Sequence, residues 1–348
     1  MVGERLKRAR NNMKLSLRDL AEKVNLSQTT ISKYEKGISK PNSTILIKLA
    51  KILNVNENYF FKEETIELKN KEYRKRETSS IQLASIESKI LNQIENRFFI
   101  ESLFPQKDIT NFQIPDVKFP EIKYLKDIPE ISKRIREVWK INDEPISDLC
   151  ELLESKGIKV FMINEPKESS FDGMTAIVNG YHIIVLSSDW PGDRQRFTLS
   201  HELGHLILKN KLPTSLKEKE EKACDYFAGS FLLPSTPLKK KLGDKRRSLE
   251  IAELSLLKKE FGVSMQAVFI RAAQEGIISY QTSKSIWDYF EKQNWTKQEP
   301  GEQYPSEKIY IYDQLVMRAL SEGFIENSKA AELLGLNMRT FNRFRKGF

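Results

Sequence analysis

The chain has 348 residues, 39% of them hydrophobic and 30% charged, which suits two to three domains of ordinary size with real cores. There is no run of about 18 apolar residues to serve as a membrane span, and Met1 to Asn12 is charged where a secretory leader would be apolar, so a cytoplasmic protein is expected. Two distant cysteines, Cys150 and Cys224, exclude a disulfide scaffold. Of the net charge of +9, residues 1–63 carry 13 Lys or Arg against 6 Asp or Glu, which points to nucleic acid as a partner of the N-terminal end.

Residues 1–63 read as short amphipathic helices with tight punctuation. Leu6, Ala9 and Met13 mark the first helix, and Ser16 caps Leu17 to Val24. Asn25-Leu26 makes a turn, Ser27 caps a helix that runs to Lys36, and Gly37 ends it. Pro41-Asn42-Ser43 starts Thr44 to Leu53, and a last turn holds Tyr59 and Phe60. Two helices joined by so short a turn form a helix-turn-helix, whose second member can lie in a major groove. The string from Ser16 to Gly37, SLRDLAEKVNLSQTTISKYEKG, resembles the Xre, or lambda repressor-like, family. The resemblance implies an all-α, five-helix domain in which Gln28, Thr29, Thr30, Ser32 and Lys33 face bases and phosphates of double-stranded operator DNA while Ile31 and Tyr34 pack inward. Arg8, Arg10 and Lys40 are expected as phosphate contacts, because such cations position a protein on the duplex without reading sequence.

Glu64 to Thr78 is dense in charge and is expected to be a solvated tether. Leu83, Ile86, Ile90, Ile94 and Phe98 recur at helical spacing, which predicts one long amphipathic helix over residues 79–103. Its stripe either packs on a neighbouring domain, the favoured reading, or pairs with a second copy in a homodimer. Pro105, Pro115 and Pro120 make residues 105–127 an extended connector.

From residue 128 the pattern is mixed α and β. Two helices, around Ile131 to Trp139 and Ile146 to Leu153, precede a strand at Ile158 to Ile163. Met174 to Val178 and Tyr181 to Leu186 flank Asn179-Gly180, a hairpin signal, because that dipeptide accepts the positive φ angles of a tight turn. The hairpin offers a sheet edge to which an extended peptide can add, and His182 within it is more simply structural than catalytic.

The next helix contains His201-Glu202-Leu-Gly-His205. On an α-helix two His at this spacing share a face and reach one metal ion, with Glu202 beside the open coordination position as general base. A catalytic zinc takes three protein ligands, and a helix predicted from a Ser215 cap through Leu216 to Leu233 carries Glu221 and Asp225 one turn apart. Glu221 is assigned as the third ligand, with Glu218 and Glu220 as alternatives, and Asp225 as the acceptor of a ligand imidazole N–H. The strings RFTLSHELGHL from Arg196 and E-x-x-x-D-x-F-A-x-x-x-L-L-P from Glu221 resemble the ImmA/IrrE metallopeptidases. The sequence departs from that pattern at Cys224, where Ala is commoner, and lacks the Met usual before Pro234.

After a basic loop at residues 239–247, Phe261 to Ala272 looks like a second helix-turn-helix, although plain helical packing on the peptidase core is the stronger reading. Residues 305–348 are helical with basic Arg339, Arg343, Arg345 and Lys346, and resemble a degenerate helix-turn-helix. The expected organisation is multidomain and mainly α: a DNA-binding domain at 1–63, a linking segment at 64–127, a small α+β zincin-like core at 128–302 and a helical tail at 303–348. The resemblances imply a gluzincin-like, Zn2+-dependent endopeptidase that cuts a repressor or antitoxin-like protein to switch transcription. A regulator whose peptidase-like domain senses a ligand or binds a partner without cutting is the competing expectation.

Overall fold

The computed structural model describes residues 2–62, 66, 68–75, 79–105, 111–116, 119–164 and 171–347. The N-terminal unit comprises α1 (Val2–Asn12), α2 (Leu17–Val24), α3 (Gln28–Glu35), α4 (Ser43–Ile52) and a 3-10 turn at Glu57–Phe61. Leu6, Leu20, Ile31, Leu49 and Phe60 close its core. The caps do what their residue types predict: Ser16 and Asp19 form a reciprocal capping box, and Asn25 ends α2 in the left-handed region with φ 59°. Gly3 lets α1 lie on the end of α3, since a Cβ there would fall 2.4 Å from the Glu35 carbonyl oxygen.

The charged run after this unit is not simply a tether. Lys69–Lys75 forms β1, followed by α5 (Ser80–Ser102), a 3-10 turn at Leu125–Asp127, α6 (Ile128–Val138) and α7 (Leu149–Ser155). β2 (Lys159–Ile163), β3 (Phe171–Val178) and β4 (Tyr181–Ser187) complete a four-stranded sheet of order β1-β3-β4-β2, in which β2 is parallel to β4 and the other pairs are antiparallel. The hairpin forms where Asn179-Gly180 predicts it, with φ of 49° and 84°. Its β3 edge is already taken by β1, and its β4 edge by β2. The edge expected to be open to a peptide is therefore filled by the chain itself.

The sheet sorts its side chains by the two-residue period. Met174, Ala176, Val178, Ile183 and Val185 pack with Ile86, Ile90 and Ile94 of α5. Val160, Ile184 and Leu186 face the opposite layer with Leu199 and Leu203. The α5 stripe is thus consumed inside the chain. That second layer contains α8 (Gly192–Leu208), α9 (Glu220–Leu232), α10 (Ser235–Leu242), α11 (Ile251–Phe261), α12 (Met265–Gln274) and α13 (Tyr280–Lys292). The tail adds α14 (Ile311–Ser321), α15 (Asn327–Leu333) and α16 (Met338–Phe344), whose Val316, Ala330 and Phe341 pack with Ile100 and Phe104.

Buried ion pairs lock the units together. Arg196, fully buried in α8, donates to Glu307 Oε1 at 2.7 Å and to the Ile146 carbonyl at 2.7 Å, while Glu307 Oε2 accepts from the Leu149 and Cys150 amides at 3.2 Å. Lys159 of β2 donates to Glu101 of α5 at 2.7 Å, and Arg97 bridges Glu101 and Glu154. Each charge has a partner, the condition under which burial is tolerated.

Candidate metal centre and nucleic-acid interface

Helix α8 is buried along nearly its whole length and lies against α9. The close approach depends on Gly204, because a Cβ there would already be 3.3 Å from the Cα and Cβ of Cys224. His201, Glu202 and His205 are buried, and the two imidazoles bring their Nε2 atoms to 3.2 Å. Helix α9 begins later than predicted. Thr214–Lys219 winds as a 3-10 segment, Ser215 caps no α-helix, and α9 starts at Glu220, so Glu220 and Glu221 occupy its first turn.

From that turn Glu221 reaches back over both rings: its Oε2 is 3.3 Å from His201 Nε2 and its Oε1 3.4 Å from His205 Nε2. Asp225, one turn on, places Oδ1 2.9 Å from His201 Nδ1. Glu220 also approaches, at 3.6 Å from His205 Nδ1. Donors bound about 2.0–2.1 Å from a tetrahedral ion stand roughly 3.3 Å apart; the two Nε2 atoms stand 3.2 Å apart, and each faces a different oxygen of the Glu221 carboxylate. The Sγ of Cys224 lies within 4.8 Å of ligand nitrogens of both His, so a thiol borders the same centre. In the sequence Cys224 stands out only as a departure from the Ala commoner at that position.

The electrostatics favour positive charge at this point. Hydrogen bonding to His201 first, then to His205, holds Glu221 well below the usual carboxylate range. Burial opposes charge on His205, but the neighbouring Cys224 thiol and Glu221 carboxylate outweigh it and raise its pKa to about 11. Burial pushes the Cys224 thiol up. The donor set and geometry fit a divalent cation taken by imidazole and carboxylate.

Glu202 sits under β3. Gly173 lets α8 lie close beneath this strand, because a Cβ there would be 2.6 Å from Thr198 Cγ2 and 3.0 Å from the Val185 carbonyl oxygen, whereas Glu202 Oε1 would be at an ordinary contact distance of 3.5 Å. His182 packs edge-on to Phe112 with ring centroids 5.4 Å apart, and burial lowers its pKa, as a structural strand histidine should behave.

In the N-terminal unit, α3 exposes Gln28, Thr29 and Lys33, leaves Thr30 and Ser32 half-buried, and buries Ile31 and Tyr34. The Thr30 hydroxyl also bonds Ser27 Oγ at 2.8 Å, so part of its role is to hold the cap. Lys40 is exposed. Arg8 and Arg10 are corrected from phosphate contacts to interior ion pairs. Arg8 Nη1 donates to Glu95 Oε1 of α5 at 2.6 Å, and Arg10 Nε donates to Glu35 Oε1 at 2.6 Å. Both are buried, and their partners neutralise the charge that DNA would need. Arg5 joins the same junction, donating to Glu95 Oε2 at 2.7 Å.

Two stretches of the chain match known families. Residues 153–272 match the family model of the IrrE N-terminal-like domain, peptidase family M78, and residues 6–60 match a helix-turn-helix family model. The chain is 32% identical over 69 residues to the HTH-type transcriptional regulator ImmR of Bacillus subtilis, covering 20% of this chain and 54% of that protein. It is 41% identical over 54 residues to the vegetative-specific protein H7 of Dictyostelium discoideum, covering 16% and 52%. The chain thus spans about half the length of these curated relatives. A Mycobacterium tuberculosis transcriptional regulator of known structure aligns with a TM-score of 0.29 at 16% identity, over 52% of each chain. One chain thus carries a stretch that matches a helix-turn-helix model and a stretch that matches the IrrE N-terminal-like, M78-type peptidase model.

Proposed function

We propose that this protein is a DNA-binding zinc endopeptidase that cleaves a repressor or antitoxin-like protein and thereby switches transcription. The observation that carries the reading is the convergence of His201 Nε2 and His205 Nε2, 3.2 Å apart, on the Glu221 carboxylate, whose Oε2 lies 3.3 Å from the first and whose Oε1 lies 3.4 Å from the second, beside the buried Glu202. His201, His205 and Glu221 would hold the ion, which when bound supplies a water of lowered pKa and polarises a carbonyl. Asp225 accepts the Nδ1–H of His201, which turns the Nε2 lone pair toward the centre. Glu202 takes a proton from the attacking water and returns it to the leaving amine as the C–N bond breaks. Gln28, Thr29, Ser32 and Lys33 on the open face of α3 would place the enzyme on its operator.

A second reading, in which the domain binds a partner without cutting it, draws on one observation: β1 fills the β3 edge where a substrate strand would add. Glu202→Gln separates the two. Metal content, DNA affinity and cleavage of co-encoded regulators are measured for wild type and variant. The protease reading expects retained metal and DNA binding with cleavage lost. A variant that regulates its operon as wild type does would leave only the binding reading.

A further inference from the structure

The tail repeats the N-terminal helix-turn-helix position by position. Residue n of the first corresponds to n + 310 of the second, so Leu17, where α2 starts, maps on Asn327, where α15 starts, and Gln28 at the start of α3 maps on Met338 at the start of α16. Asn25 in the left-handed region at φ 59° maps on Gly335 at φ 66°. Leu26 N–H donates to the Ala21 carbonyl at 3.0 Å, and Leu336 N–H to the Ala331 carbonyl at 2.9 Å. The caps also agree: Thr30 N–H donates to Ser27 Oγ at 3.1 Å, and Thr340 N–H to Asn337 Oδ1 at 2.9 Å. The buried anchors Ala21 and Ile31 map on Ala331 and Phe341, and Gly37 maps on Gly347, both at positive φ.

The chain contains a control for this comparison. Helices α11 and α12 repeat the turn at n + 237, with Gly262 left-handed and Ser264 capping α12. There, however, the counterparts of Gln28 and Ser32 are Met265 and Phe269, both buried. That motif is spent on core packing. In α16 the counterparts of Gln28, Thr29, Ser32 and Lys33 are Met338, Arg339, Asn342 and Arg343, all exposed. Residues 333–347 hold Arg339, Arg343, Arg345 and Lys346 and no acidic side chain.

We propose that residues 327–346 are a second duplex-DNA-binding element, touching DNA through Arg339, Asn342, Arg343 and Lys346. Helix-turn-helix geometry with an open, basic second helix is what places side chains in a major groove and against its phosphates. The element shares a support with the first: α1 bonds Glu95 of α5, α14 packs near Ile100 of the same helix, and Lys62 meets Glu332 at 3.7 Å. One chain therefore carries two readers on one helix, and binding by either raises the local concentration of duplex for the other. This inference does not depend on proteolysis.

The test uses the full chain and a labelled 40-base-pair duplex of random sequence. Arg339→Ala combined with Arg343→Ala should weaken binding roughly tenfold or more at about 0.1 M salt and lower the slope of log K against log salt by about 1.8, at about 0.9 per lost phosphate contact. Both side chains are exposed, so the thermal midpoint should not move. Independently, hydrogen exchange at residues 338–344 in the wild type should slow when duplex is added. Unchanged affinity and slope, or no protection of α16, would overturn the proposal. So would a double variant that keeps DNA binding but loses self-association or preference for single-stranded RNA, since the face would then serve another partner.

Discussion

His201 is held from two sides: its Nδ1 meets Asp225 Oδ1 at 2.9 Å, while its Nε2 faces His205 Nε2 at 3.2 Å. A ligand fixed in tautomer and direction in this way depends on its outer partner. Asp225→Ala is expected to weaken zinc binding about 10–100-fold. Competition with a chromophoric chelator measures it, and an unchanged affinity would remove Asp225 from the centre.

Glu220, Glu221 and Cys224 all approach the two imidazoles, and only Glu221 faces the Nε2 atoms of both rings at 3.3–3.4 Å. Glu221 lies 3.3 and 3.4 Å from the two Nε2 atoms, whereas Glu220 lies 3.6 Å from His205 Nδ1. Glu221→Ala should abolish stoichiometric metal, and Glu220→Ala should retain it. In wild type, chelator should lower the thermal midpoint, because an ion that binds only the folded state stabilises it. Chelator should leave the midpoint of Glu221→Ala where it is.

Arg8 belongs to a buried junction and not to a DNA face. Removing it leaves Glu95 paired with Arg5 alone, so Arg8→Ala should destabilise by about 1–2 kcal/mol while leaving the salt slope of DNA binding unchanged. Lys33→Ala, on the open face of α3, should do the reverse and reduce the slope by about 1. Paired denaturation and salt titrations read both.

Gly173 is a steric requirement of the site. Gly173→Ala puts a Cβ 2.6 Å from Thr198 Cγ2, and the forced shift should cost about 1–3 kcal/mol. Adding Thr198→Ala removes the clashing methyl, so the double variant should be more stable than the sum of its parts by an amount that a double-mutant cycle in urea resolves.

What was legible in the sequence was what is local. The Asn179-Gly180 hairpin, the Ser16 and Ser27 caps, and the one-turn spacings of His201 with His205 and Glu221 with Asp225 are each fixed within a few residues. What was not legible depends on distant partners. Arg8 looks like any surface cation until α5 brings Glu95 to it across 87 residues. Glu307 shows no motif, yet it joins the tail to Arg196 and caps α7. Lys69–Lys75 lacks the apolar alternation of a half-buried strand, and its pairing comes from the β3 backbone, which no side-chain pattern records. The late start of α9 follows from the 3-10 path of Thr214–Lys219, which competes with a Ser215 cap.

That strand is also part of the covalent path from the N-terminal unit to the domain that holds His201 and Glu221. Its partner positions run from Ile177 to Phe171 and include Gly173, the residue next to Glu202, with breaks in register on either side of the central pairs. A tethered segment presents itself at an effective concentration on the order of millimolar. Any strand added to the β3 edge would have to outcompete that occupant. A strand that displaced it would lift out the very segment leading back to the N-terminal unit, so a change at one end of the molecule would be felt as slack at the other.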